Sequence, residues 1–291
     1  MKKSIDYIKV INKKYPNIKV ANSRFIEEGQ NNIILVVNDA VIFRFPRNEV
    51  NRATLEDEYK ILMKLGESLP LNIPNPQYSF IGKDINNTFI GYPLIRGLVM
   101  KKDVFAKAQN KEKLADQLAL FLKKLHSEQI LKQVDSLFYS VDVRKKWLDL
   151  YDRIKEKLFF YMKEDAVKNV THDFEVIFSA LSKSSFKNTL VHGDFGPSNI
   201  IVNERLDAIN GIIDFGSAHI GDPAGDIASL IGPFGYGLEF VNLMKNGYSS
   251  IGDYLERAQA YTHTFALQEA LYGIENDDKR AFEAGIKEYR F

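Results

Sequence analysis

Asp194 and Asn199 lie five residues apart in the stretch LVHGDFGPSNIIV, between the apolar pair Leu190-Val191 and the run Ile200-Ile201-Val202. Gly196 and Pro197 make the chain turn between them. A carboxylate placed this way can accept or orient the proton of an attacking hydroxyl. An amide oxygen five residues on can ligate magnesium, and the spacing His192-x-Asp194-x-x-x-x-Asn199 is that of phosphoryl-transfer loops. Taken alone, the match fits equally a polar hairpin loop with His192 as a satisfied buried imidazole. A second stretch, GIIDFG, narrows the choice: it sets Asp214 behind two β-branched residues and ahead of Phe215-Gly216, twenty residues past Asp194. Magnesium takes hard oxygen ligands, often one or two from the protein with phosphates and water completing the shell. Asn199 and Asp214 are therefore the expected ligand pair.

Upstream, VIFRFP alternates so that Ile42 and Arg44 share one strand face, with Phe43 and Phe45 on the other. Arg44 occupies the place of the phosphate-bridging lysine in a V-A-I-K strand, and Glu58, in the following EDEYKIL, stands where a carboxylate would hold that cation bidentately. The segment ahead of the strand, EEGQNNI, contains one glycine. Gly29 permits close backbone approach to a phosphate, and Asn31 and Asn32 carry amide donors. A G-x-G-x-x-G loop is not present.

These residues need two kinds of scaffold. Up to about residue 96 the chain alternates short strand-like runs: Ile33–Val37 and Val41–Phe45 flank Asn38-Asp39-Ala40, a hairpin signal. Leu55, Tyr59, Leu62 and Leu65 then follow helical spacing up to Gly66. IPNPQYSFIGK and TFIGYPLIRG predict two further strands around a turn at Asn86-Asn87. Beyond residue 110 the pattern is helical, interrupted by strands only in TLVHGDF, NIIVNE and LDAINGIIDFG. The expected fold is α+β and two-lobed, with a small antiparallel β-sheet lobe over 1–96, a hinge near 91–97, and a larger, mainly helical lobe over 97–291. A cleft between two lobes is a favoured ligand site.

Composition excludes several alternatives. With no cysteine there is neither a disulfide scaffold nor a thiol nucleophile nor a thiolate metal site. A net charge of +1 gives no field for nucleic acid or an anionic membrane. At the N-terminus, Ile5, Ile8 and Ile11 at spacing three predict an amphipathic helix with a solvated basic face rather than a signal peptide. No apolar run is long enough to span a bilayer. A soluble, cytoplasmic, monomeric protein is expected.

HGDFGPSN, GIIDFG and DPAGD, in that order, resemble the aminoglycoside phosphotransferase family, whose fold is that of protein kinases. FRFP, FIGYPLIRG, FLKKLHS and ALYGIEN look most like its 2''-phosphotransferase branch. The similarity covers nearly the whole chain. The resemblance implies transfer of the γ-phosphoryl group of ATP or GTP, with Mg2+, to a hydroxyl of a small molecule, foremost an aminoglycoside. It makes Asp194 the catalytic base, Asn199 and Asp214 the metal ligands, and Arg44 with Glu58 the triphosphate clamp. His192 and Asp226 become braces of the catalytic loop. Backbone groups around Pro93, Leu94 and Ile95 would hydrogen-bond the purine, with Pro93 able only to accept. Tyr92, at the inner edge of that pocket, would narrow access for adenine and favour GTP.

One departure bears on the acceptor. Aminoglycosides carry several ammonium groups, and an enzyme for them needs carboxylates beside the base. In the 2'' branch an Asp commonly follows D-F-G and an acidic run follows D-P-x-x-D. Here the places read Ser217 and ASLIGPFGYG, with no acid among them. Glu239, Glu269 and Glu275 are the remaining candidates, each equally a solvated helix residue. A less cationic hydroxyl compound, such as a macrolide or a metabolite, is the alternative acceptor. A protein kinase is excluded by the short SAHIG segment between Gly216 and Asp222, which leaves no peptide platform. The alternative outside catalysis, a nucleotide-binding pseudokinase, would not need Asp194, Asn199 and Asp214 together. A metal-dependent hydrolase fits the Asn at plus five less well. His126 and the stripe Trp147, Leu150, Tyr151 and Ile154 are expected to serve packing, with Trp147 a possible wall of the acceptor cleft.

Overall fold

The computed structural model describes residues 6–26, 31–138, 142–183 and 187–290. The N-terminal part holds α1 (Tyr7–Lys14), β1 (Ser23–Ile26), β2 (Asn32–Val37), β3 (Val41–Pro46), α2 (Glu49–Leu65), β4 (Tyr78–Phe80) and β5 (Phe89–Pro93). Its five strands form one antiparallel sheet in the order β1-β2-β3-β5-β4. The β2–β3 turn matches its sequence signal: Asn38 and Asp39 have φ of 54° and 47°, a type I′ geometry, closed by the Ala40 N–H on the Val37 carbonyl at 3.1 Å.

Alternation along β3 and β5 sorts side chains between two faces. Phe43, Phe45 and Phe89 pack with Leu35 and Val37 on one, and α1 covers them through Ile11, Tyr7 and Ile8. On the opposite face Arg44 is paired across the sheet with Ile90, and Ile42 with Tyr92. That face meets α2. Asn48 caps this helix by accepting the Asn51 N–H, Gly66 ends it, and Leu55, Glu58, Ile61, Leu62 and Leu65 are its buried residues.

After β5 come β6 (Leu98–Val99), α3 (Lys102–Phe105), α4 (Lys111–Leu125), α5 (Glu128–Val134), α6 (Val143–Lys157) and α7 (Glu164–Lys183). Four short strands follow: β7 (Thr189–Val191), β8 (Ile200–Val202), β9 (Ile209–Ile212) and β10 (His219–Gly221). The chain ends in α8 (Ala224–Ile231), α9 (Leu238–Met244), α10 (Ile251–Thr262), α11 (Phe265–Glu275) and α12 (Lys279–Ile286). β6, β8 and β9 make one small sheet, and β7 pairs with β10. The α+β, two-lobed arrangement is the expected one, with two additions. β6 and β10 are strands that local pattern did not mark, being only two and three residues long and held by their partners β8 and β7.

The first ninety-six residues are not closed on themselves. Ile61, Leu62, Leu65, Leu69 and Ile73 belong to the large core that also contains Leu114, Leu118, Phe121 and Phe174. α2 thus spans from the sheet into the helical lobe. Among the described residues, no helix is long and apolar enough to cross a membrane.

Candidate active site

The loop after β7 and the turn after β9 emerge side by side. His192 Nε2 donates to the Ile213 carbonyl at 3.0 Å, and the Ile213 N–H donates to the Asn199 carbonyl at 2.9 Å. Since a carbonyl only accepts, Nε2 carries the hydrogen, and Nδ1 is free to accept the Asp194 N–H at 3.3 Å. Gly193, with φ of 79°, lets the loop lie against the next turn; a Cβ there would stand 2.2 Å from the Ser217 carbonyl oxygen.

Asp194 is exposed while Asn199 is buried beneath it. Asn199 Nδ2 donates to both the carbonyl and the carboxylate Oδ2 of Asp194, each at 2.8 Å. Both are acceptors only, so the amide's orientation follows and Oδ1 has no donor among the described residues. Asp214 adopts the left-handed region, with φ 67° and ψ 69°, a conformation that non-glycine residues keep only where surroundings impose it. One carboxylate oxygen takes Arg44 Nη2 at 3.1 Å; the side chain is 47% exposed, so the other oxygen faces space. Two hard oxygen groups are thereby available, the kind of donor set magnesium takes. Among the described residues no cluster of three or more His, Cys, Asp or Glu suits a metal.

Arg44 and Glu58 form a buried ion pair through Nη1 and Oε1. Burial pulls the Arg44 pKa down, but Glu58, Tyr92 and Asp214 together more than reverse this, so the guanidinium stays charged. Tyr92 is 4% exposed, on the same sheet face; burial pushes its phenol up to about 12 against the opposing effect of Arg44. Asn31 accepts Asn51 Nδ2 at 3.4 Å, and the buried Asn32 Oδ1 has no partner among the described residues. Gly29 lies outside the described residues. Just past β5, the Leu94 N–H is given to the Ala40 carbonyl at 2.8 Å. With that N–H engaged, the carbonyl is the backbone group Leu94 has left to offer, and Pro93 and Ile95 flank it.

Asp226 is fully buried at the start of α8. Its carboxylate accepts the backbone N–H groups of His192 and Gly193 at 2.8 and 2.9 Å, and His126 Nε2–H at 3.0 Å. His126 caps α4, a hundred residues away, so no local pattern linked the two. Asp222, four residues before Asp226, is likewise consumed: Arg257 binds both its oxygens, at 2.7 and 3.0 Å, and the Tyr261 hydroxyl donates at 2.7 Å.

Two hollows adjoin the loop. One, about 550 Å³, is lined by Asp194, Gly196, Lys102, Phe234, Ser229 and Phe265. The other, about 370 Å³, shares Ser229 and Phe265 and runs past Gly193 to Trp147, Lys146 and Glu275. Trp147 does both jobs expected of it, stacking on Tyr261 with centroids 4.3 Å apart and lining the second hollow. Of the candidate acidic residues, Glu239 and Glu269 are exposed and line neither hollow. Glu275 lines the second, but hydrogen bonds from Arg153 and Lys157 hold its pKa down to about 2.

The fold and this loop-and-turn pair together define a kinase-like phosphotransferase. Residues 23–261 match the phosphotransferase enzyme family, and the chain belongs to that family. Among curated relatives, viomycin phosphotransferase of Streptomyces vinaceus is 25% identical over 271 residues, covering 91% of this chain and 92% of that one. Among solved structures, the GDP complex of an aminoglycoside 2'-phosphotransferase-IIIa superposes with a TM-score of 0.87 at 24% identity, over 97% of this chain and 95% of the other. A macrolide 2'-phosphotransferase type I gives 0.76 at 18% identity, over 98% and 96%.

Proposed function

We propose that the protein transfers the γ-phosphoryl group of ATP or GTP to a hydroxyl of a small molecule, acting as a monomer in the cytoplasm, with its 1–96 and 97–291 segments moving about the 91–97 hinge. The observation that carries the reading is the Asn199 amide. One side chain fixes the exposed Asp194 carboxylate through its NH2, its own oxygen has no donor among the described residues, and its backbone carbonyl takes the N–H of Ile213, the residue before Asp214.

In this reading Asp194 accepts the proton of the acceptor hydroxyl as the hydroxyl oxygen attacks the γ-phosphorus and the nucleoside diphosphate departs. Asn199 Oδ1 and Asp214 would hold Mg2+, which supplies neutralising charge to the phosphates. Arg44, held in place by Glu58, binds the α- and β-phosphates. Asn31, Asn32 and Gly29 cover them. The purine rests against Pro93, Leu94 and Ile95, and Tyr92 sets the preference between adenine and guanine. His192 and Asp226 keep the loop rigid, so catalysis comes mainly from positioning and charge.

Relatives named for aminoglycosides, a macrolide and viomycin support a small-molecule alcohol as acceptor, with aminoglycosides first among the candidates. A second reading, a less cationic acceptor, is favoured by one observation: Asp222, Asp226 and Glu275 in the second hollow are each already bound by cations or backbone donors. The test is nucleotide consumption with ATP and GTP against aminoglycosides, macrolides and hydroxylated metabolites, with product mass. A gain of one phosphoryl group on an acceptor is expected. Consumption indifferent to every acceptor, and equal in wild type and Asp194→Ala, sinks the proposal.

A further inference from the structure

Lys146 lies on α6, which forms one wall of the second hollow together with Trp147 and Leu150. Its Nζ stands 3.0 Å from His219 Nε2. The His219 ring is fixed from behind: Nδ1 donates to the Ser217 carbonyl at 2.8 Å, the same carbonyl on which Gly193 packs. That bond places the ring hydrogen on Nδ1, so Nε2 presents a lone pair and accepts from the ammonium of Lys146. Loss of surrounding water, and then the Lys146 charge, lower the His219 pKa, which keeps the imidazole neutral. Desolvation lowers the pKa of Lys146 as well.

The charges around this pair are distributed unevenly. Asp222 is taken by Arg257 and Tyr261, Asp226 by the catalytic loop and His126, and Glu275 by Arg153 and Lys157. Asp149, one turn along α6 from Lys146, bonds Arg153 at 3.3 Å instead. Every carboxylate lining the hollow therefore has a donor, and Lys146 has no carboxylate. Beyond the backbone bond of its N–H to the Asp142 carbonyl, the bond to His219 is, among the described residues, the one hydrogen bond the Lys146 ammonium makes, which leaves two of its three N–H groups for a ligand. A cation held at the edge of a largely apolar hollow by a neutral imidazole is arranged for an anion, not for an ammonium group.

We infer that Lys146 and His219 form an anion-recognising subsite of the acceptor cleft, so that the compound phosphorylated at Asp194 carries a carboxylate or a phosphate group away from its reacting hydroxyl. This rests on the reading of the two joined hollows as the acceptor site. It makes Lys146 a specificity-determining residue, and it favours the second, less cationic reading of the acceptor over aminoglycosides.

Trp147 is the chain's single tryptophan and borders the subsite, so its emission reports occupancy directly. Full-length protein is titrated with gluconate as the carboxylate probe, glucose 6-phosphate as the phosphate probe, glucose as their neutral counterpart and kanamycin as the polycation. At least one anionic probe is expected to bind tenfold or more tightly than glucose and than kanamycin. The tighter anion identifies the group. Lys146→Met should erase that difference, and Lys146→Arg should retain most of it. Kanamycin binding as tightly as both anions, or a preference for anions that survives in Lys146→Met, overturns the inference, as does silence from both anions. Phosphoryl transfer is read separately: anion binding without acceptor-dependent nucleotide consumption supports the subsite and sinks the proposed reaction instead.

Discussion

At the scale of single residues, Asp194 and Asp214 are both carboxylates on turns, yet their surroundings assign them different work. Asp194 is exposed and its carboxylate accepts the Asn199 amide, which holds it facing the place of an incoming hydroxyl. Asp214 is held in a left-handed turn against Arg44, at the end of the sheet face that would meet phosphates. Asp194→Ala should accordingly lower turnover by roughly 10²–10⁴-fold, the range for loss of a general base, with nucleotide affinity nearly intact. Asp214→Ala should instead abolish the magnesium dependence of nucleotide binding. Calorimetric titration of nucleotide with and without Mg2+, beside turnover, separates the two; wild-type turnover in both variants refutes the roles. The positions of these residues were legible because a loop and a turn must carry them at fixed spacing. Lys146 and His219 were not, since seventy-three residues separate them and neither is part of a spaced motif. The same holds for the Leu94 N–H, whose bond to the Ala40 carbonyl is a cross-strand pairing that no local motif marks.

At the scale of elements, α2 is the piece on which the two lobes meet. Its apolar spacing and its end at Gly66 were readable, because helix periodicity and capping are local properties. What could not be read is that one side of the helix faces Tyr92 and Ile90 while its last turns enter the core of the other lobe. β6 and β10 escaped for the same reason: a strand of two or three residues has no pattern of its own and exists by virtue of its neighbour. Glu58 sits in the middle of α2 with 1% of its surface exposed, bound to Arg44. Removing one partner of a buried ion pair leaves an uncompensated charge, so Glu58→Ala should cost about 3–5 kcal/mol of stability. Urea unfolding measures this, and a loss below about 1 kcal/mol, the range of an exposed pair, would show that Asp214 and Tyr92 suffice for Arg44. The link between β5 and β6 makes a sharper element-level test. Gly97 has φ of 142°, and a Cβ there would stand 2.3 Å from the Val202 carbonyl oxygen of β8. Gly97→Ala should lower the melting temperature, because both the backbone angle and the contact forbid the methyl group; an unchanged melting temperature would mean that β6 and β8 separate without cost.

At the scale of the whole molecule, Asp226 joins parts that are far apart in the chain: the end of α4, the loop after β7 and the start of α8. Tyr248 extends the network, its hydroxyl 3.4 Å from His126 Nδ1. Burial pushes the Asp226 carboxyl up, but the His126 hydrogen bond, the electrostatic influence of His126 and His192 and the His192 N–H outweigh it, so its pKa lies below the ordinary 3.8. A carboxylate whose pKa is depressed by folding contributes stability that is complete above its unfolded value and disappears as pH falls through the folded one. Wild-type stability should therefore hold above about pH 4, the ordinary carboxylate range, and decline below it partly through this group. Asp226→Asn keeps the shape but removes the charge and one acceptor, leaving a catalytic-loop N–H or His126 poorly satisfied. The variant should be less stable than wild type at pH 7, with the gap narrowing as pH is lowered below 3.8 and wild-type Asp226 takes up its proton. Denaturant midpoints of both proteins from pH 3 to pH 7 test this. A gap that stays constant across that range would mean that the carboxylate's charge does not hold the loop to α4 and α8, and that shape alone keeps Asp194 in place.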